Sequence, residues 1–214
     1  MKCFSTRLAL VLVLCLCFFA SGCASFLSPG DPPARLNFAP EFTATVPGTA
    51  RTRAMQVVVS RPSLPTELSG DSIILLINQR EMRRLAGYRW ASSVPDILER
   101  AIVAAFNQSG AFAAVASSTS GITSRFHLLA DVDQFAMRVP QTSENRPAGP
   151  STAIIRGTFR LVNHTEGKTL ATLPVSVEQG ATASDSNAMA EAMEKATVRM
   201  MEEVVPWAVG VLSR

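Results

Sequence analysis

Cysteine is nearly missing from this chain of 214 residues: its four copies, Cys3, Cys15, Cys17 and Cys23, all fall within the first 23 positions. Beyond them neither an internal disulfide nor a thiolate metal cluster can form, so a domain there must be stable by burial alone. Histidine is scarce too, with only His127 and His164, and neither sits in a motif. A Ser-His-Asp site needs its nucleophile on a shaped turn, and the Gly-x-Ser-x-Gly pattern is missing. So is the Gly-x-x-x-x-Gly-Lys-Ser/Thr loop that cradles nucleotide phosphates, which excludes a P-loop motor. No cofactor motif is present, and no cofactor is expected.

Runs of one charge are also lacking. The chain has 20 basic and 17 acidic residues, but Lys2 and Arg7 lie in the first 22, leaving 18 and 17 in the remainder. That near balance gives no electrostatic case for nucleic acid, where neutralising phosphates dominates affinity.

What is present begins at the amino terminus. Lys2 and Arg7 form a positive start, Leu8 to Ala20 an apolar run of 13 residues, and Ala20-Ser21-Gly22-Cys23 a small-residue cleavage site. The run is shorter than the roughly 20 residues that span a bilayer, which favours an export signal (1–22) over a transmembrane helix. Cleavage before Cys23 and lipidation of its thiol and freed amine are expected; an ordinary signal with a chance cysteine is the alternative. Several acyl chains at about 0.8 kcal/mol per buried CH2 make such anchoring effectively permanent. In lipoproteins that this segment resembles, Asp after the lipidated cysteine favours inner-membrane retention. Ala24 stands there, which implies the outer membrane.

Residues 23–53 carry Pro29, Pro32, Pro33, Pro40 and Pro47 and read as a tether, with only Arg35 to Phe38 expected to dock on a domain spanning 54–214. There, Met55 to Ser60 and the unbroken apolar run in Ser72 to Asn78 predict central strands, the second forming a hairpin with the more polar Glu81 to Tyr88. Ser93-Val94-Pro95-Asp96 reads as a capping box with proline in the first turn. Leu98, Ala101, Ile102, Ala105 and Phe106 then recur at helical spacing, with Glu99 and Arg100 facing outward, until Gly110 stops the helix. Phe112 to Ala116 predicts a short strand. Phe126, Leu128, Ala130 and Val132 alternate, and the alternation shifts to Phe135, Met137 and Val139, so one extra residue near Asp133 predicts a bulge. After a polar stretch from Pro140 to Pro150, Ala153, Ile155, Gly157, Phe159 and Leu161 share a face, matched by Ala171, Leu173, Val175 and Val177. Asp185 or Ser186 caps a last helix striped with Met189, Met193, Ala196, Met200 and Val204, running toward Pro206 and Trp207. The order β-β-β-α-β-β-β-β-α predicts a two-layer α+β domain: a mixed, mostly antiparallel sheet with two main helices on one face.

Each candidate site has a plain competitor. Asp131 and Asp133, two apart in a strand, could share a cation; a solvated strand face is favoured, because no calcium-type loop is nearby. The methionine stripe is either a plastic lipid- or partner-binding surface or core, with core favoured. Tyr88 and Trp90, where strand gives way to helix, either anchor that helix or present a partner surface, with packing as the default.

The stretch Tyr88-Arg89-Trp90-Ala91-Ser92-Ser93-Val94-Pro95-Asp96-Ile97-Leu98, followed by Ser109-Gly110-Ala111-Phe112, resembles the ABC-type transport auxiliary lipoproteins, including the paraquat-inducible kind. Trp90, Pro95, Leu98, Gly110 and Phe112 occupy the places of the family pattern, and the final helix ending in Trp207 falls in the expected order. The tether is more proline-rich, and the usual Tyr-x-Leu-x-Pro start is represented by Arg35 to Pro40. The resemblance implies a non-enzymatic outer-membrane lipoprotein that meets a periplasm-spanning protein of the mammalian-cell-entry (MCE) type, working with an inner-membrane ABC permease and ATPase. A piece that meets a ring-shaped assembly is expected to be able to form a homo-oligomeric ring itself. The other reading is a free-standing envelope lipoprotein that binds a lipid or hydrophobic ligand.

Overall fold

The β-branched and alternating runs become strands, and the two 3.6-residue periods become helices. The computed structural model describes residues 32–43, 45–78, 80–140 and 149–214; the export segment, Cys23 and Ala24 lie outside them. Among the described residues the elements are β1 (Ala34–Leu36), β2 (Gln56–Val59), β3 (Ser72–Ile77), β4 (Glu81–Trp90), α1 (Val94–Gln108), β5 (Ala114–Ser117), β6 (Phe126–Val139), β7 (Thr152–Asn163), β8 (Lys168–Gly180) and α2 (Ser186–Leu212). The expected α+β order holds, with the three-residue β1 added in front.

One long strand organises the sheet. The 14 residues of β6 pair along one edge with β7, antiparallel, and β7 pairs with β8 in the same way. Its other edge is shared: Phe126 to Leu128 lie parallel to β2, and Met137 to Val139 parallel to β3. Beyond β2 comes β5, and beyond β3 the antiparallel β4 and then β1. The sheet is therefore mixed. Where the two arms part, the pairing of β6 with β7 jumps from Val132–Gly157 to Gln134–Arg156, which is the bulge at Asp133. Gly157 is required there: a Cβ on it would lie 2.5 Å from the Asp131 carbonyl oxygen.

Both helices contribute to one core on one face of the sheet. Leu128, Phe159, Leu161 and Met137 meet Leu98, Phe106, Met193 and Met200, all at most 1% exposed. Glu99, expected to face outward, is also buried, and its Oε1 has no partner among the described residues. On the opposite face a smaller cluster, Leu68, Ile74, Leu76 and Ala136, is backed by Leu64.

The caps differ from each other. Asp185 accepts hydrogen bonds from the Asn187 and Ala188 N–H groups at 2.9 and 3.0 Å, a regular N-cap. Ser93 occupies the N-cap of α1 without bonding a backbone N–H. Its hydroxyl instead donates to Asp96 at 2.5 Å, and Arg61 bonds both, so the expected capping box is replaced by a three-side-chain cluster. α2 continues past Pro206 to Leu212, with Pro206 in its interior.

The folded unit runs from Pro33 to Arg214, so it takes in residues 33–53 of the expected tether, well beyond the Arg35 to Phe38 stretch expected to dock. Phe38 joins the core, Phe42 and Val46 pack against it, and Thr52 is buried. The Ala39 N–H donates to Glu194, Val46 to the Ser109 carbonyl, and Gly48 presses on Ala111. Proline limits regular structure there but not burial: Phe42 and Val46 border the same small gap as Ala105 of α1 and Met201 and Val205 of α2.

Candidate functional site

The residues of the family pattern converge around the β4–α1 junction, and most are packing. Trp90 is 1% exposed. Its ring meets Phe38 edge-on at 5.5 Å and Phe135 at 6.3 Å, and Phe38 and Phe135 lie 6.1 Å apart. This aromatic trio joins the N-terminal segment, the end of β4 and the long central strand β6. Pro95 and Leu98 are buried on the underside of α1. Gly110, at φ +67°, makes the turn that only glycine adopts without strain, after which Phe112 stacks on Phe106 at 5.6 Å. Trp207, half-buried on α2, packs at the margin of the core. Tyr88 differs, being 37% exposed on β4, and so is the pattern residue available to a partner.

Outside the small cluster of Leu68, Ile74, Leu76 and Ala136, the sheet face away from the helices carries paired charges. Arg138 grips Glu178 with two hydrogen bonds of 3.0 and 2.6 Å, and Arg156 approaches the same carboxylate at 3.5 Å. The Arg138 hydrogen bonds hold the Glu178 carboxyl below its ordinary range, against a smaller opposing effect of burial, and Arg156 adds to the lowering. In the Ser93 cluster, the Ser93 hydroxyl foremost and Arg61 after burial's opposing effect hold Asp96 low.

Asp131 is paired with Arg160, while Asp133 sits exposed at the bulge, so the two carboxylates do not act together. Among the described residues no group of three or more His, Cys, Asp or Glu is placed to hold a metal ion. The two histidines, separate in sequence, come together: their rings stack at 4.2 Å with planes 14° apart. Burial, and then the neighbouring His164, lower the His127 pKa, with a Ser124 backbone contact acting the other way. Parallel stacked rings do not aim two nitrogens at one point. Nothing in the sequence except their positions at the strand end and the following turn signalled this pairing.

Met189, Met193, Met200 and Val204 face the core, which removes the methionine stripe as a binding surface. Where α1, α2 and the N-terminal segment meet, a gap of about 70 Å³ remains, bordered by Phe42, Val46, Ala105, Met201 and Val205. That is far below the roughly 300 Å³ at which small-molecule pockets begin. A larger, basic groove lies at the end of the sheet beneath the last turn of α2. No described helix is long and apolar enough to cross a membrane.

Comparison with solved structures supports the fold. Protein XCC0632 from Xanthomonas campestris, of the DUF330 family, superposes with a TM-score of 0.69 at 26% identity, over 82% of this chain and 96% of its own. An uncharacterised protein matches with a TM-score of 0.56 at 15% identity, over 77% and 97%; this shows the fold alone. No curated protein matches in sequence. The model of the ABC-type transport auxiliary lipoprotein component matches residues 36–205, a span from the end of β1 through most of α2. By that match the chain belongs to the ABC-type transport auxiliary lipoprotein family.

Proposed function

We propose that this lipoprotein is the docking component of an MCE-type transport system, anchored through Cys23 to the periplasmic face of the outer membrane. It meets a periplasm-spanning MCE-domain protein, and through it an inner-membrane ABC permease and ATPase. It performs no chemistry of its own and helps to move a phospholipid or another hydrophobic molecule. The family match over residues 36–205 carries this reading. The lipobox ending at Cys23 and the Ala24 that follows support the anchor and its address.

The folded unit starts at Pro33, so nine residues separate it from Cys23, a reach of at most roughly 30 Å. A docking protein on so short a leash works close to the bilayer, at the end of any bridge rather than along it. A head-to-tail contact between copies closes such proteins into a ring, an assembly that native mass spectrometry of the lipidated chain would reveal.

The test is a crosslinking pull-down of the lipidated protein from intact envelopes, with an unrelated lipoprotein as control. Specific capture of an MCE-domain protein is expected, together with loss of transport in Cys23→Ala. Absence of capture with a folded bait, or full transport by a soluble periplasmic form, would overturn the docking and anchoring roles respectively.

A further inference from the structure

The groove at the end of the sheet has a volume of about 380 Å³. Four cationic side chains from four separate segments border it: Arg51 from the N-terminal segment, Arg125 before β6, Lys168 at the start of β8, and Arg214 after α2. Glu166 is the acid on its rim, and its carboxylate is taken by Arg125 at 2.5 Å. That leaves Arg51, Lys168 and Arg214 with no carboxylate partner among the described residues.

Cations at a helix C-terminus often only complement its dipole, which is worth about half an elementary charge. Here three side-chain charges face that half charge. At the end of α2 the Ser213 N–H and hydroxyl both bond the Val209 carbonyl, at 3.0 and 2.6 Å, so neither is aimed at the groove. Three full charges exceed what half a charge can balance. Asn163, 2% exposed, lines the groove. Its Oδ1 accepts from the Glu166 N–H at 3.2 Å, so the amide NH2 is the group left to donate.

An anion alone would need no apolar wall. Yet Leu170, 38% exposed, stands on this rim with the half-buried Phe126 and Val211. Guanidinium and ammonium groups beside an aliphatic surface match a molecule that is anionic at one end and apolar at the other.

We propose that this groove binds the phosphate head of an anionic phospholipid, with the first acyl carbons against Leu170 and Val211. The choice of a lipid as ligand rests on the transport reading above; the site itself rests on the charges and the wall. Arg51, Lys168 and Arg214 hold the phosphate oxygens, and Asn163 donates from the floor.

The experiment titrates the full lipidated chain, in an uncharged detergent, with short-chain phosphatidylglycerol, short-chain phosphatidylcholine and inorganic phosphate. Phosphatidylglycerol is expected to bind at least tenfold more tightly than either of the others. Arg51→Gln with Lys168→Gln, both at exposed positions, should weaken it at least tenfold without moving the melting temperature. Leu170→Ser should weaken phosphatidylglycerol but not phosphate. No binding of phosphatidylglycerol, or binding indifferent to the Arg51/Lys168 double variant, overturns the site. Phosphate binding as tightly as phosphatidylglycerol overturns its lipid character in favour of a free-anion site. The envelope pull-down on the same double variant separates the two readings. MCE capture without phosphatidylglycerol binding by the parent chain removes this site and leaves docking; binding without capture does the reverse.

Discussion

The two faces of the sheet are built on opposite principles. Toward the helices, β6 and β7 present Leu128, Met137, Phe159 and Leu161, almost wholly removed from water. Toward the other side the same strands present Arg138, Arg156, Arg160, Asp131 and His127. Stability is concentrated on the first face, because buried apolar area is worth about 25 cal/mol per Å². Exposed ion pairs contribute about 0–1 kcal/mol. The second face adds the small cluster of Leu68, Ile74, Leu76 and Ala136 but is otherwise built from such pairs, and Tyr88 and the basic groove lie at its margins.

The largest break in this comparison is Trp90→Ala. Removing the ring at the centre of the Phe38 and Phe135 contacts is expected to cost about 3–5 kcal/mol, read from urea unfolding by circular dichroism on the full chain in uncharged detergent. Arg138→Ala, which frees Glu178 on the other face, should cost about 0–1 kcal/mol in the same assay. Equal costs would mean that the polar face bears stability after all. An effect between these two is expected at the bulge. In Gly157→Ala the new methyl would crowd the Asp131 carbonyl oxygen at 2.5 Å and the Val132 Cα at 3.0 Å, backbone atoms that cannot rotate aside. The expected loss is about 1–3 kcal/mol. Gly180→Ala, at the end of β8 with nothing within 4 Å, should be neutral or a gain of up to about 1 kcal/mol from a less flexible unfolded chain. A tolerated Gly157→Ala would mean that β6 and β7 can separate at the bulge without cost.

The covered face was the more legible of the two in the sequence. Period-two alternation over Ala153 to Leu161 put five residues on one side, and all five are buried. The change of alternation at Asp133 announced the bulge for the same reason: one inserted residue exchanges the faces. The docking of Arg35 to Phe38 was legible, but the segment from Ala39 to Thr52 was not, because Phe42 and Val46 follow no period and the partners lie far along the chain; Ala39 and Glu194 are 155 residues apart. The basic groove was hidden in the same way, its cations arriving singly from four segments, none in a run. Of the family-pattern residues, the sequence identified positions but not roles, since an aromatic at a junction reads alike whether it fills the core, as Trp90 does, or stays exposed, as Tyr88 does.

The smallest effect expected is one of pH, and it belongs to the polar face. The His127 pKa is lowered from 6.5 by burial first and by His164 second. A base whose folded pKa lies below its unfolded value binds protons less readily when folded. Stability is therefore complete above about pH 6.5 and falls as the pH drops toward the folded value. The carboxylates held low by their partners, Asp96 and Glu178, also lose stability on acidification, but they start from 3.8 and 4.5, so their window lies below that of the histidine. Unfolding followed between pH 7.5 and 5 thus isolates the imidazole. The parent chain is expected to weaken across that range, and His127→Gln to flatten the dependence. An unchanged slope in His127→Gln would place the titrating group elsewhere and leave the stacked pair without influence on stability.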